Sequence, residues 1–205
     1  MNTSKNIIKF FDKTIKQYYS NDPGIVGWSN KESQYLRFDV LSQIAPLENQ
    51  QVIDIGCGVG DMYNFFKSKN MKVKYLGIDI HPGMVAIARK KYQDARFLQT
   101  ELENIKDSYD FVLCSGAFNL QQKNNRKYIE KMIGKMYDIA RTGVAFNLLS
   151  SYAPSGMRYW DLCYYDPKAI FDYCKKQYER VILRHDYLPH DFTVYINKVP
   201  MPEIA

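Results

Sequence analysis

The sequence predicts an α/β fold: a doubly wound, mostly parallel β-sheet that ends in an antiparallel hairpin, with two helices ahead of it. Three observations carry that reading. Strand-like runs at Val52–Ile55, Val73–Ile80, Arg96–Gln99, Tyr109–Ser115 and Val144–Leu149 alternate with helix-period segments, and such alternation builds a parallel sheet. Gly56, Gly58 and Gly60 follow the first run at once, and Asp79 stands near the end of the second. Past residue 180 the alternation gives way to Val181–Leu188 and Phe192–Val199, two strands separated by Pro189-His190-Asp191, which reads as a hairpin.

The elements follow in order. Thr3 or Ser4 is placed to cap a first helix with apolar positions at Ile7, Ile8, Phe11, Ile15 and Tyr18. Asn21-Asp22-Pro23-Gly24 is a turn signal. Ser29, with Glu32 three residues on, reads as a capping box opening a second helix that carries Tyr35, Leu36, Val40, Leu41 and Ile44 and stops before Pro46. Helices are then expected at Asp61–Lys69, at Pro82–Tyr92, from about Asn125 to Arg141 with Gly143 as its C-terminal stop, and after Asp166-Pro167. Ser150–Tyr165 breaks the rhythm with Pro154, Gly156 and the aromatic run Tyr159, Trp160, Tyr164 and Tyr165.

At 205 residues the chain is most simply one domain over 1–205, a helical cover at 1–46 and an α/β core at 50–199. Hydrophobic content of 46% and charged content of 24% are those of a soluble globular protein. The net charge of +6 is a mild bias towards anionic partners. The basic residues are scattered, which reads as a solvated surface and makes nucleic acid an unexpected partner. Four cysteines without C-x-x-C spacing and three histidines argue for reduced thiols and against a zinc or other metal site. With no signal-peptide core and no apolar span, the expected setting is the cytoplasm, without a membrane.

The chemistry gathers at Gln51–Asp61, QVIDIGCGVGD. A strand, a glycine loop and a helix opened by Asp61 make a pocket lined by backbone N–H groups, which a ligand can approach closely. Asp79 follows the loop by about 20 residues, the spacing at which a carboxylate reaches the ribose hydroxyls of a nucleoside. A dinucleotide fingerprint requires G-x-G-x-x-G, but here Asp61 takes the place of the third glycine. A nicotinamide oxidoreductase is disfavoured on that ground.

The pattern D-x-G-C-G-x-G-D with an acid ending the next strand resembles the class I S-adenosylmethionine-dependent methyltransferase family. Asp54, Gly56, Cys57, Gly58, Gly60, Asp61 and Asp79 carry the resemblance, which extends over about residues 50–199. It implies a Rossmann-like, seven-stranded sheet, S-adenosyl-L-methionine as cofactor, and an N-terminal extension that covers the cofactor and shapes the substrate entrance. It also implies that Gly56, Cys57 and Gly58 admit the methionyl part, that Asp54 orients the loop or the amino group, and that Glu101 and Leu102 meet the adenine. Ile80 and Met84 would pack on that ring, although Met84 at helical spacing is equally a core residue, and Glu101 is equally an exposed loop carboxylate.

Ser115 and Gly116 stand after the fourth strand, where the family places the transferred methyl, and are expected to offer backbone contacts to the methionyl group of the cofactor. The Asn/Asp-Pro-Pro-aromatic motif of enzymes that methylate exocyclic amines of DNA bases is missing there. Arg37 is either a bidentate partner for the cofactor carboxylate or a surface arginine. Trp28 and Ser29 are further cofactor or lid contacts. For a general base the candidates are His185, Asp186, His190 and the Tyr159/Trp160 cluster. His185 is the catalytic choice, against its reading as a structural residue of the hairpin. The aromatic run either binds a ring or a cation or packs beneath a loop.

The expected function is methyl transfer from S-adenosylmethionine to a small-molecule acceptor. The rivals are an RNA- or protein-directed methyltransferase, suggested by the charge alone, and a non-catalytic cofactor-binding or interaction protein of the same fold. The motifs specify neither the acceptor atom nor an oligomeric state.

Overall fold

The computed structural model describes residues 3–19, 22–28 and 30–200. Seven strands form one sheet in the order β3-β2-β1-β4-β5-β7-β6. They are β1 (Gln51–Ile55), β2 (Lys74–Asp79), β3 (Arg96–Gln99), β4 (Tyr109–Ser115), β5 (Ala140–Leu149), β6 (Arg180–Leu188) and β7 (Asp191–Asn197). The first five are parallel, and β7 runs antiparallel to both β5 and β6. Among the described residues six α-helices accompany them: α1 (Thr3–Gln17), α2 (Lys31–Ser42), α3 (Asp61–Ser68), α4 (Pro82–Lys91), α5 (Asn125–Ile139) and α6 (Pro167–Gln177). This is the expected Rossmann-like sheet with its C-terminal antiparallel hairpin. From β1 the chain moves outward through β2 and β3, then returns to place β4 on the other side of β1. That reversal opens a crevice at the carboxyl ends of β1 and β4.

Both faces of the sheet are covered, which is why its central strands read as apolar runs. Successive side chains of β1 point to opposite sides. Ile53 joins the core under α5 and α6, with Val112, Phe146, Ile129, Met132 and Ile170. Val52 joins the other core, with Leu113 and Ala145 against Phe38, Leu41, Phe65 and Ala88.

Several boundaries depart from the sequence expectation. The helix predicted to reach Arg141 ends at Ile139, and β5 starts at once at Ala140, whose backbone is already extended (φ −81°, ψ 136°). Gly143 is therefore no helix stop. It lies inside β5, where a Cβ would fall 2.9 Å from Ile44 Cδ1. Close packing explains this glycine. The Ser29 cap lies outside the described residues, as do Asn21 of the turn and the side chain of Thr3. Asn30 caps α2 by accepting the Ser33 N–H at 2.8 Å. Leu36 faces solvent, and the buried face of α2 carries Gln34, Arg37 and Phe38 instead. The hairpin turn is only Pro189-His190, because Asp191 already pairs with Leu149 and Leu188. Among the described residues no helix is long and apolar enough to cross a membrane.

Candidate functional site

The glycine loop leaves β1 through three left-handed turns, Gly56 (φ 73°), Gly58 (φ 53°) and Gly60 (φ 86°). Glycine adopts this region without the Cβ penalty. Space matters as much as backbone here. A Cβ on Gly56 would lie 2.4 Å from Ala117 Cβ, and one on Gly58 2.6 Å from Val26 Cγ1. The loop's N–H groups are largely used within the protein, contrary to the expected donor-lined pocket. Gly56 and Cys57 donate to Ile78 O at 2.8 and 3.0 Å, and Gly60 donates to Cys57 O at 3.0 Å. Gly58 donates to Asp79 Oδ2 at 2.9 Å. Parallel pairing places the end of β2 beside the loop, so the loop docks on β2 and presents a surface of close approach.

Asp79 also accepts the His81 N–H on Oδ1 at 2.8 Å. A carboxylate has about four lone-pair directions, so it keeps capacity for incoming hydroxyls. Burial raises its pKa, and the two backbone donors oppose that shift. Asp54, 2% exposed, accepts the Tyr75 hydroxyl at 2.6 Å. Desolvation lifts its pKa to about 7, against the lowering effect of Tyr75. Burial likewise pushes the Cys57 thiol well up, so it is a neutral packing group. Asp61 opens α3 and receives Gln34 Nε2 at 3.1 Å.

These groups border one cavity of about 350 Å³ at the carboxyl ends of β1, β2 and β4. Eleven of the thirteen expected site residues line it. Asp54, Gly56, Cys57 and Gly58 come from β1 and its loop, and Asp79, Ile80 and Met84 from the β2–α4 junction. Glu101 and Leu102 follow β3, Ser115 ends β4, and Trp28 reaches in from the segment before α2. Met84 is 2% exposed and packs with Ile25 and Val59, as its core reading requires, while also bordering the cavity. Glu101 is no free loop carboxylate, since Ser4 on α1 donates to it at 2.6 Å.

Two expected residues are not brought there. Arg37 is 2% exposed and turned to Asp191, its Nε 2.7 Å from Asp191 Oδ2, so it is neither a surface arginine nor part of the cavity lining. His185 lies on β6, the edge strand farthest from β1 on that side of the sheet. It packs against Tyr152 and Phe192, with ring centroids 5.9 and 6.3 Å away, which fits its structural reading. The other base candidates are absent from the lining too. Asp186 is ion-paired with Arg184, His190 contacts Arg37, and Tyr159 and Trp160 are 64% and 93% exposed. Tyr165 alone of the aromatic run is buried, donating its hydroxyl to Phe118 O at 2.9 Å.

Other lining residues gave no motif signal. Ile7 and Phe11 of α1, with Ser4, roof the cavity, and Phe38 joins Gln34 on α2. His81 caps α4, its Nδ1 accepting the Gly83 and Met84 N–H groups at 3.1 and 3.3 Å. That leaves its proton on Nε2, 3.3 Å from Asp12 Oδ1 on α1. A polar residue just before Pro82 was the available cue. Asn147, wholly buried in β5, accepts the Gly116 N–H at 2.7 Å and so holds the turn after β4.

Residues 52–143 match the family model described as a methyltransferase domain. A Mycobacterium tuberculosis protein assigned as a methyltransferase is 33% identical over 153 residues, covering 71% of this chain and 91% of that one. The trans-aconitate 2-methyltransferase of Afipia carboxidovorans is 34% identical over 84 residues, 37% of this chain and 32% of that enzyme. The magnesium protoporphyrin IX methyltransferase of Synechocystis, solved with S-adenosylmethionine bound, superposes with a TM-score of 0.70 at 16% identity, covering 97% and 98% of the two chains. The chain belongs to the class I S-adenosylmethionine-dependent methyltransferase family. It is an enzyme of that class, with S-adenosylmethionine as its cofactor.

Proposed function

We propose that this enzyme methylates a small molecule held beside Ser115, Gly116 and Trp28. The carrying observation is convergence: the glycine loop, Asp79, Glu101 and the Ser115–Gly116 turn all face one roofed cavity. The residues present fit the cofactor. Asp79 would take the ribose hydroxyls, and Glu101 the adenine amino group, with Leu102, Ile80 and Met84 against the ring. Gly56, Cys57 and Gly58 form a tight loop, where a Cβ on either glycine would strike Ala117 or Val26, and its close approach suits the methionyl chain. Asp54, Asp61, Asp79 and Glu101 make the lining acidic, which favours a cationic cofactor.

The cofactor supplies an electrophilic methyl on a sulfonium. The chain's part is to hold a nucleophile in line with it and keep water out. Such positioning alone can provide several powers of ten in rate. A base is required only for a nucleophile that arrives protonated.

A compact acceptor is supported by the roof of α1 and by the wall of Trp28. The named acceptors of two similar proteins, trans-aconitate and magnesium protoporphyrin IX, are small molecules. The cavity takes side chains from both 1–46 and 50–199, which supports one domain. Four free thiols support a cytoplasmic setting.

The test has two stages. Calorimetry with S-adenosylmethionine and S-adenosylhomocysteine should show binding that Asp79→Ala weakens by about 10- to 100-fold. Labelled methyl from S-adenosylmethionine should then enter the small-molecule fraction of a cell extract. Label in RNA or protein instead would replace this reading with a macromolecular acceptor, and binding without any transfer would leave the non-catalytic one.

A further inference from the structure

The Arg37 guanidinium is fixed in place from two directions. Its Nε donates to Asp191 Oδ2 at 2.7 Å. One terminal nitrogen donates to Ser33 Oγ and O at 2.5 and 2.8 Å. The other lies 3.0 Å from His190 Nε2. A guanidinium only donates, so His190 accepts there and carries its proton on Nδ1. Contacts from α2, from the β6–β7 turn and from the start of β7 thus hold the group in place. The guanidinium carbon lies over the Trp28 ring, 4.3 Å from its centroid. The indole edge in turn rests on Gly116, where a Cβ would fall 2.6 Å from Trp28 Cζ2.

We propose that Arg37 is a positioning residue for methyl transfer: it sets Trp28 against Gly116 and so fixes the cavity wall on which a flat, ring-bearing acceptor is held. The inference rests on the reading of this cavity as the cofactor and acceptor site. An indole clamped from behind is a rigid apolar surface that loses little rotamer freedom when a ring stacks on it. The expected alternative, Arg37 as ligand of the cofactor carboxylate, conflicts with a guanidinium turned to Asp191.

The chain's two tryptophans make the test direct. Trp160 is 93% exposed, so Trp160→Phe isolates the emission of Trp28. In that background Arg37→Lys keeps a charge for Asp191 but offers no plane to the indole. The expected result is a red-shifted Trp28 emission with about two-fold stronger acrylamide quenching, as the stacked cation is lost. The ratio of affinities for S-adenosylhomocysteine and 5′-methylthioadenosine, which lacks the amino-acid carboxylate, should stay unchanged.

A ratio that collapses in Arg37→Lys makes Arg37 a carboxylate ligand and overturns the proposal. Unaltered emission in the folded variant overturns it as well, leaving a purely structural ion pair. Should the lysine variant not fold, Arg37→Met with Asp191→Asn strands no charge and is read by the same two outcomes. If the parent binds neither nucleoside, the cofactor reading fails on its own, while the emission comparison still decides what holds Trp28.

Discussion

Asp79 Oδ2 accepts the backbone N–H of Gly58 at 2.9 Å. The acid at the end of β2 is thus part of the glycine loop's own architecture. Asp79→Ala should act twice. It strands the Gly58 and His81 N–H groups, at about 1–3 kcal/mol of stability, readable as a lower urea midpoint. It should also weaken S-adenosylhomocysteine binding by about 10- to 100-fold, the value of one charged hydrogen-bond partner. Asp79→Asn keeps one acceptor and should fall between.

The glycines separate by what surrounds them. Gly56→Ala meets both a left-handed backbone and Ala117 Cβ at 2.4 Å, and should cost about 1–3 kcal/mol. Adding Ala117→Gly removes the clash but not the strain, so recovery should be partial. Gly134 lies inside α5 with nothing within 4 Å of an added Cβ. Gly134→Ala should stabilise by up to about 1 kcal/mol. Urea unfolding of the four proteins checks the order.

Asp54 gives stability a defined pH dependence. Burial raises its carboxyl from the ordinary 3.8 to about 7 in the folded protein. Between those values the folded chain holds a proton that the unfolded chain has released. Its contribution is therefore fully present below about pH 4 and is lost as pH rises through about 7. Asp191, raised to about 6, acts in the same direction. Asp54→Asn should flatten the unfolding free energy between pH 4 and 7. A cationic cofactor favours the ionised carboxyl, so binding near pH 6.5 should release protons, and calorimetry in two buffers should lose that release in Asp54→Asn.

Arg37 and Asp191, 2% and 0% exposed, form a buried ion pair. Removing one partner of such a pair leaves a buried charge and costs about 3–5 kcal/mol. Arg37→Met should approach that loss, moderated because the Asp191 carboxyl is already pushed up and can take a proton. Arg37→Met with Asp191→Asn should recover most of the stability. A urea series over the wild type, both single variants and the double variant gives the coupling.

Local patterns made much of this protein legible. The glycine spacing and the Asp79 interval located β1, β2 and the loop that leaves β1, because a left-handed turn and a strand-end acid are properties of a few neighbouring residues. The alternation of strands and helices announced the sheet, and Asp166-Pro167 announced α6. Gly143 misled for a physical reason: a glycine after a helix serves equally as a stop or as room for a neighbour, and Ile44, 99 residues earlier, decides between them. Leu36 faces solvent while Phe38 packs against Phe65 and Leu41, because neighbours from other elements choose the buried face of α2.

The amino-acid sequence by itself determined the fold class, the glycine loop and its acid, because those depend on backbone conformation and short-range spacing. The tertiary structure alone decided which side chains share the cavity. Arg37 was drawn away from it by Asp191, 154 positions along the chain, since a buried carboxylate must find a cation. His185 was carried off by the strand order, and α1 was brought over the cavity by Ser4 and Asp12 meeting Glu101 and His81. Such partnerships join residues far apart in sequence, and no spacing rule along a single chain records them.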